Sequence, residues 1–237
     1  MDLAKNHVDV GLFTNNLDPM LAFWQHEAGL PFEELLPTGG GNRQHRHAMN
    51  GSVLKLNHAR DPLPADPARP GYRELLIARP GVAGPRPLTD PEGNRLTLVP
   101  PGHEGVIGIA VRYGVRDAQA FETFFADQLE LEVVSPNVFR CGDSLLIVEH
   151  DPLAVPAGEM RAPGFRYITI QVRDVEFEHK RALSRGVTEG RPPVTLGNTA
   201  RISFIRDPDG NWIELSQRAS LTGTLAPGEP TSDHASG

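Results

Sequence analysis

The chain has 237 residues, 39% apolar and 22% charged, with a formal net charge of -7. This is an ordinary water-compatible mixture, with enough material for one large domain or two of usual size. The acidic balance speaks against nucleic-acid binding, which needs clustered Lys and Arg. No apolar run reaches membrane-spanning length and the polar N-terminus carries no signal-peptide core, so neither membrane nor export is expected. A single cysteine, Cys141, excludes an intramolecular disulfide and a cysteine-cluster zinc site. The default expectation is a cytoplasmic protein. The 22 prolines and 24 glycines suit many turns between short strands, not a helical bundle.

In chain order, residues 6–13 alternate as a strand, with Val8, Val10 and Leu12 on one face and His7, Asp9 and Gly11 on the other. A helix is expected from Asp18 to about Ala28: Asp18 as N-cap, Pro19 in the first turn, Gly29 as the stop. Gly39-Gly40-Gly41 follows no strand and lacks the Lys and Ser/Thr of a phosphate loop, so it reads as flexible. Gln44 to Met49, Asn50-Gly51 and Val53 to Asn57 form a hairpin. Residues 59–71 are a proline-rich loop. Tyr72 to Ala78 is a strand, and the broken stretch 80–85 leaves no room for a helix after it. Residues 100–105 read as a linker. A strand from Ile107 to Val115 leads to a helix capped by Asp117, whose stripe Phe121, Phe124, Phe125 and Leu129 is core. Strands near 138–140 and 144–149 follow, then a Pro/Gly loop over 151–164. The strand Tyr167–Val172 and a helix from Asp174 to about Arg185 come next. After Arg218 the composition predicts a disordered tail.

Two features repeat. Asp90-Pro91-Glu92-Gly93-Asn94 and Asp207-Pro208-Asp209-Gly210-Asn211 are the same tight turn between strands. Val115-Arg116-Asp117 and Val172-Arg173-Asp174 both join a strand to a helix. Four copies of a strand-helix-three-strand unit account for this, with unit two lacking its helix. In chain order the units group as residues 1–101 (units one and two, the second degenerate) and 106–218 (units three and four), with 219–237 as the tail. A pairing of unit one with unit four stays open.

The His-Val-x-Val-x-Leu opening strand and the Asp-Pro-Asp-Gly-Asn-x-Ile-Glu-Leu closing strand, set in this βαβββ repeat, resemble the vicinal oxygen chelate superfamily over residues 5–218. Its members include glyoxalase I, extradiol dioxygenases, methylmalonyl-CoA epimerase and bleomycin-resistance proteins. The resemblance implies an α+β fold of tandem βαβββ modules in two glyoxalase-like domains with curved mixed sheets. The concave face of each sheet would hold a divalent metal. Ligands on the first and last strands would be His7 and Lys55 in unit one, Glu74 and Thr97 in unit two, Ala110 and Ile147 in unit three, and Tyr167 and Glu214 in unit four. Only His7 and Glu214 are of the usual residue types.

The resulting expectation is a glyoxalase-type lyase or isomerase. Its metal (Fe, Mn, Ni or Zn) would sit on His7, Glu214, His47 and Glu74 and stabilise an enediolate. Glu214, Tyr167 and Lys55 would be catalytic, and Trp212, Gln171 and His45 would contact substrate. Lys55 cannot ligate a cation, so the metal could also be absent. The rival is then a metal-free, bleomycin-resistance-like binding protein, or a metal-free lyase built on Glu, Lys and Tyr. A ring-cleaving dioxygenase is less favoured, because Ala110 and Tyr167 stand where histidines are usual. The expected partner is a small-molecule substrate, with no nucleic acid or membrane, and a homodimer is allowed.

Overall fold

The computed structural model describes residues 1–65, 70–223 and 225. Unit one is β1 (Asp9–Thr14), α1 (Leu17–Ala22, continued by a wide π turn over Phe23–Glu27), β2 (Phe32–Pro37), β3 (Asn42–Met49) and β4 (Ser52–Ala59). Unit two is β5 (Tyr72–Ala78), β6 (Arg86–Thr89) and β7 (Arg95–Val99), with no helix. Unit three is β8 (Ile109–Val115), α2 (Ala118–Glu122, continued by a π turn over Thr123–Gln128), β9 (Glu132–Ser135), β10 (Val138–Cys141) and β11 (Ser144–His150). Unit four is β12 (Gly164–Gln171), α3 (Val175–Ser184), β13 (Thr188–Leu196), β14 (Ala200–Arg206) and β15 (Trp212–Arg218), followed by a short α4 (Ala219–Thr222). The expected tail thus begins with a helical turn; residue 224 and residues 226–237 lie outside the described residues. No helix among the described residues is long and apolar enough to cross a membrane.

Local chemistry explains the punctuation. Asp90 and Asp207 are the hubs of the repeated turn. Each carboxylate accepts from two backbone N–H groups within its own turn: Glu92 (3.0 Å) and Asn94 (2.8 Å), or Asp209 (3.0 Å) and Asn211 (2.8 Å). Each also accepts from the Asn94 or Asn211 amide at 2.8 Å. Gly93 and Gly210 take the positive φ (80° and 79°) that the turn requires. Asp117 and Asp174 cap α2 and α3 as expected. Asp18 does not cap α1. Asn16 holds that position without a side-chain cap bond, and Asp18 sits inside the first turn, where a carboxylate favours the helix dipole instead.

The strands form two sheets. One has eight strands in the order β13-β14-β15-β12-β1-β4-β3-β2; the other has seven, β6-β7-β5-β8-β11-β10-β9. Unit one therefore shares a sheet with unit four, and unit two with unit three. The division at residues 101 and 106 into consecutive domains is corrected by this order. β1 pairs antiparallel with β12, Asp9 facing Thr169 and Gly11 facing Tyr167. β5 pairs antiparallel with β8 in the same way. The edges β1 and β5 are completed across the chain, so the linker at 100–105 joins two units of one sheet.

The helix-side faces of both sheets meet in one core. Val10, Leu54, Leu56, Ile168 and Leu215 of the first sheet and Leu75, Val111 and Leu146 of the second belong to one buried cluster with Trp24 and Phe125. Phe125 stacks at 5.1 Å from both Phe124 and Phe139 and at 5.7 Å from Tyr113. The π turns after α1 and α2 place the pairs Phe23-Trp24 and Phe124-Phe125 at equivalent points of units one and three. Because β12 and β15 depend on β1, a chain of residues 106–218 alone is expected to lack a cooperative melt by near-UV circular dichroism, while the full chain melts cooperatively. A cooperative transition of the fragment would favour consecutive pairing.

Candidate functional site

On the side of the first sheet away from the helices, alternation sets Asp9, Gly11 and Phe13 of β1 beside Lys55 and Asn57 of β4. On the other flank lie Tyr167, Thr169 and Gln171 of β12 and Trp212 and Glu214 of β15. The register makes two rows: Lys55, Gly11, Tyr167 and Trp212 in one, Asp9, Thr169 and Glu214 in the next. At the centre the Lys55 Nζ donates to Glu214 Oε2 (2.7 Å) and to Thr169 Oγ1 (2.6 Å). Thr169 Oγ1 donates to the same Glu214 oxygen at 2.5 Å. Lys55 is 4% and Glu214 8% exposed, so this is a buried ion pair spanning units one and four.

Around this centre the polar tips are ordered by one another. Asp9 accepts from Lys5 Nζ (2.6 Å), Val53 N (2.9 Å) and Gln171 Nε2 (3.2 Å). Tyr167 lies across Gly11, where an added Cβ would come within 2.2 Å of its ring. Its hydroxyl accepts from Asn57 Nδ2 (3.1 Å) and Gln44 Nε2 (3.5 Å), which leaves its own proton for another acceptor. Burial lowers the Lys55 pKa, with the Glu214 and Asp9 carboxylates opposing it. Burial raises the Tyr167 phenol, and the Glu214 charge adds to that. The mouth is apolar: Phe13, Met160, Tyr167, Phe204 and Trp212 form one buried cluster. Trp212 is fixed by its Nε1–H to Gly158 O (3.2 Å) and by the Arg206 guanidinium 3.4 Å over its ring.

Residues 106–215, units three and four, match the model of the Glyoxalase/Bleomycin resistance protein/Dioxygenase superfamily. Over those residues the chain resembles the vicinal oxygen chelate superfamily. Glyoxalase I from Zea mays has the same fold, with a TM-score of 0.68 at 14% identity over 89% of this chain and 92% of that one. A candidate dioxygenase from Bacillus subtilis subsp. subtilis str. 168 gives 0.65 at 14% identity, covering 92% of this chain and 86% of that one. At such identity the likeness is one of fold. No curated protein sequence matches the chain.

In this vicinal oxygen chelate fold, Lys55, Tyr167 and Glu214 come together, with Gln171 and Trp212 on the same face. The other expected metal ligands, His7, His47 and Glu74, do not join Glu214 there. His7 precedes β1, and its ring packs against Gly51 at the β3–β4 turn, 3.8 Å from Asp143. His45 and His47 pair with Leu56 and Leu54 across the hairpin, so they face the helices. His47 is fully buried, 3.1 Å from Gln25 of the π turn after α1, and burial chiefly depresses its pKa to about 4, with His45 adding to the effect. Burial also lowers the His45 pKa, helped by His58 and Arg43. Glu74 belongs to the second sheet. There it accepts from Thr97 (2.7 Å) and meets Arg112 (3.3 Å), which also binds Glu104 (2.6 Å) and Glu149 (2.5 Å) above a floor of Leu76, Ala110 and Ile147.

A divalent cation needs several lone pairs converging on one point. Among the described residues no group of three His, Cys, Asp or Glu does so. Beside Glu214 stands an ammonium, which brings positive charge and no lone pair, and Asp9 is already bound by Lys5, Val53 and Gln171. This donor set does not fit a resident metal at Glu214.

Asp9, Thr169, Asn57 and Gln44 are the site residues that sequence reasoning passed over. Alternation already put Asp9 on the face of His7, and Thr169 on that of Tyr167 and Gln171. Gln44 and Asn57 meet because the Asn50-Gly51 turn sets the β3–β4 register.

Two measurements test this electrostatics. Lys55→Met or Glu214→Leu alone, by leaving a buried charge unpaired, should cost about 3–5 kcal/mol in urea unfolding, and the double variant should recover most of it. His47 binds its proton in the unfolded chain near pH 6.5 but in the fold only near 4. Its contribution to stability is therefore full above about 6.5 and lost as pH falls toward about 4. Over that window His47→Gln should flatten the decline of unfolding free energy with falling pH.

Proposed function

We propose that the cup of units one and four is a metal-independent small-molecule site that moves a proton next to a carbonyl. The observation that carries this is the Lys55 ammonium, hydrogen-bonded to both Glu214 and Thr169 at the buried centre of the cup. It supplies the fixed positive charge that chelate chemistry would otherwise draw from a cation. A substrate oxygen that takes the Lys55 hydrogen bond loosens Glu214 from its partner and leaves it as a base.

Glu214 then accepts the proton from the carbon beside the carbonyl, and the enolate oxygen is held by Lys55 and by the spare proton of Tyr167. In a hydroxy ketone the α-hydroxyl passes its proton to the enolate oxygen, and return of the carbon-bound proton from Glu214 to the former carbonyl carbon completes an isomerisation. Departure of a β-substituent instead makes the enzyme a lyase. Phe13, Met160, Phe204 and Trp212 exclude water above these groups.

A second reading has its own observation. Lys55, Thr169 and Glu214 already satisfy one another, and Asp9 is satisfied by Lys5, Val53 and Gln171, as suits a binding cup that holds a ligand without turning it over. A panel of enolisable oxo acids and hydroxy ketones, followed by proton–deuterium exchange in NMR, separates the two. Exchange that survives chelators and falls about 100-fold or more in Glu214→Gln supports the enzyme. Binding without exchange supports the ligand-holding protein. Stoichiometric metal in protein purified without a tag, with chelator-sensitive exchange, would overturn both.

A further inference from the structure

The rim of the cup carries positive charge that the proton transfer does not use. β13 passes close to Trp212 because residue 190 is glycine: a Cβ there would come within 3.1 Å of the indole and of Phe204. The next residue, Arg191, lies over the mouth. Its guanidinium carbon is 5.3 Å from the centre of the Trp212 ring and 5.8 Å from that of Phe204. Arg191 is exposed, and among the described residues no carboxylate, carbonyl or hydroxyl accepts from it. Two aromatic rings thus hold a cation in place while its hydrogen-bonding edge stays open.

Arg206 stands beside it, stacked on the same indole, with Nη1 donating to Gly210 O (2.7 Å). With Pro64, Ala157, Gly158 and Glu159 it lines a recess of about 420 Å³. Glu159 directly precedes Met160 of the mouth cluster, so the recess adjoins the entrance. Burial lowers the Arg206 pKa and the Arg191 charge adds to that, while Glu159 and Asp207 oppose it. Asp207 is 4% exposed and sealed in its own turn. Glu159 is therefore the carboxylate that faces the rim, and two guanidiniums exceed it by one charge, in a chain whose net charge is -7.

Arg191, Phe204 and Glu214 stand side by side on neighbouring strands. At a strand spacing of about 4.8 Å, the Arg191 backbone is about 10 Å from that of Glu214. We propose that the cup takes oxo carboxylic acids whose carboxylate is remote from the reacting carbonyl, the carbonyl oxygen on Lys55 and the carboxylate on Arg191, with Arg206 adding to the attraction. A guanidinium fork matches a carboxylate in two parallel hydrogen bonds, and one negative charge equals the excess at the rim. A 2-oxo acid would instead bring its carboxylate against Glu214. The proposal rests on the reading of the cup as a carbonyl site and names the class of its substrates.

Isothermal titration of the full chain with 6-oxoheptanoate and with its uncharged amide tests it. The acid should bind roughly tenfold more tightly than the amide. Arg191→Gln, at an exposed position and with an unchanged Tm, should erase that preference and leave the affinity for the amide as it was. Equal affinity for acid and amide would overturn the proposal, as would a preference that Arg191→Gln retains, or absence of heat at millimolar acid. Proton–deuterium exchange beside the ketone is read separately on both probes. Exchange that Glu214→Gln abolishes, with an acid preference indifferent to Arg191, overturns the anion site and keeps the proton transfer. An Arg191-dependent preference without exchange keeps the anion site and overturns the proton transfer.

Discussion

The pairing of β1 with β12 is the contact on which the rest depends. It joins the first and last units into one eight-stranded sheet, and it lays Gly11 opposite Tyr167 and Asp9 opposite Thr169. Neither half of the site exists without it. Lys55 comes from a strand beside β1 and Glu214 from a strand beside β12, and each is a buried charge whose answer lies across that seam. Burying one such charge alone is costly, so the ion pair ties the correct register of the sheet to the chemistry of the cup.

The two cups of the molecule share a topology and have opposite interiors. In the first, charge sits deep and aromatic rings close the mouth. In the second, the floor is apolar and the charge, Arg112 among Glu74, Glu104 and Glu149, lies above it. The strand pattern alone fixes which positions face inward. What those positions do follows from the residue types placed there, so a shared fold does not fix the reaction.

Much of the fold was legible in the chain. The two Asp-Pro-x-Gly-Asn turns, the Asp117 and Asp174 caps and the missing helix of unit two all follow from local rules, because each is decided by neighbours in sequence. Pairing of units was not legible, since a parallel β1–β4 or β12–β15 edge carries no mark of the strand that will lie against it. The site was half legible. Lys55, Tyr167, Gln171, Trp212 and Glu214 were placed on one face by alternation. His45 and His47 share a face as expected, but that face is the helix side, which Leu54 and Leu56 across the hairpin decide. His7 was misplaced because β1 begins only at Asp9, beyond the reach of its alternation.

The order of units along the chain has a consequence for synthesis. As the polypeptide leaves the ribosome, units two and three can close their sheet as soon as β11 emerges. Unit one is made earliest yet must wait for β12 and β15 of unit four, the last unit produced. Throughout that interval the backbone of β1 is an unpaired strand edge beside Val10 and Leu12, an open template for wrong partners. The nascent protein therefore spends most of its translation with its future site split between an exposed edge and a segment not yet made.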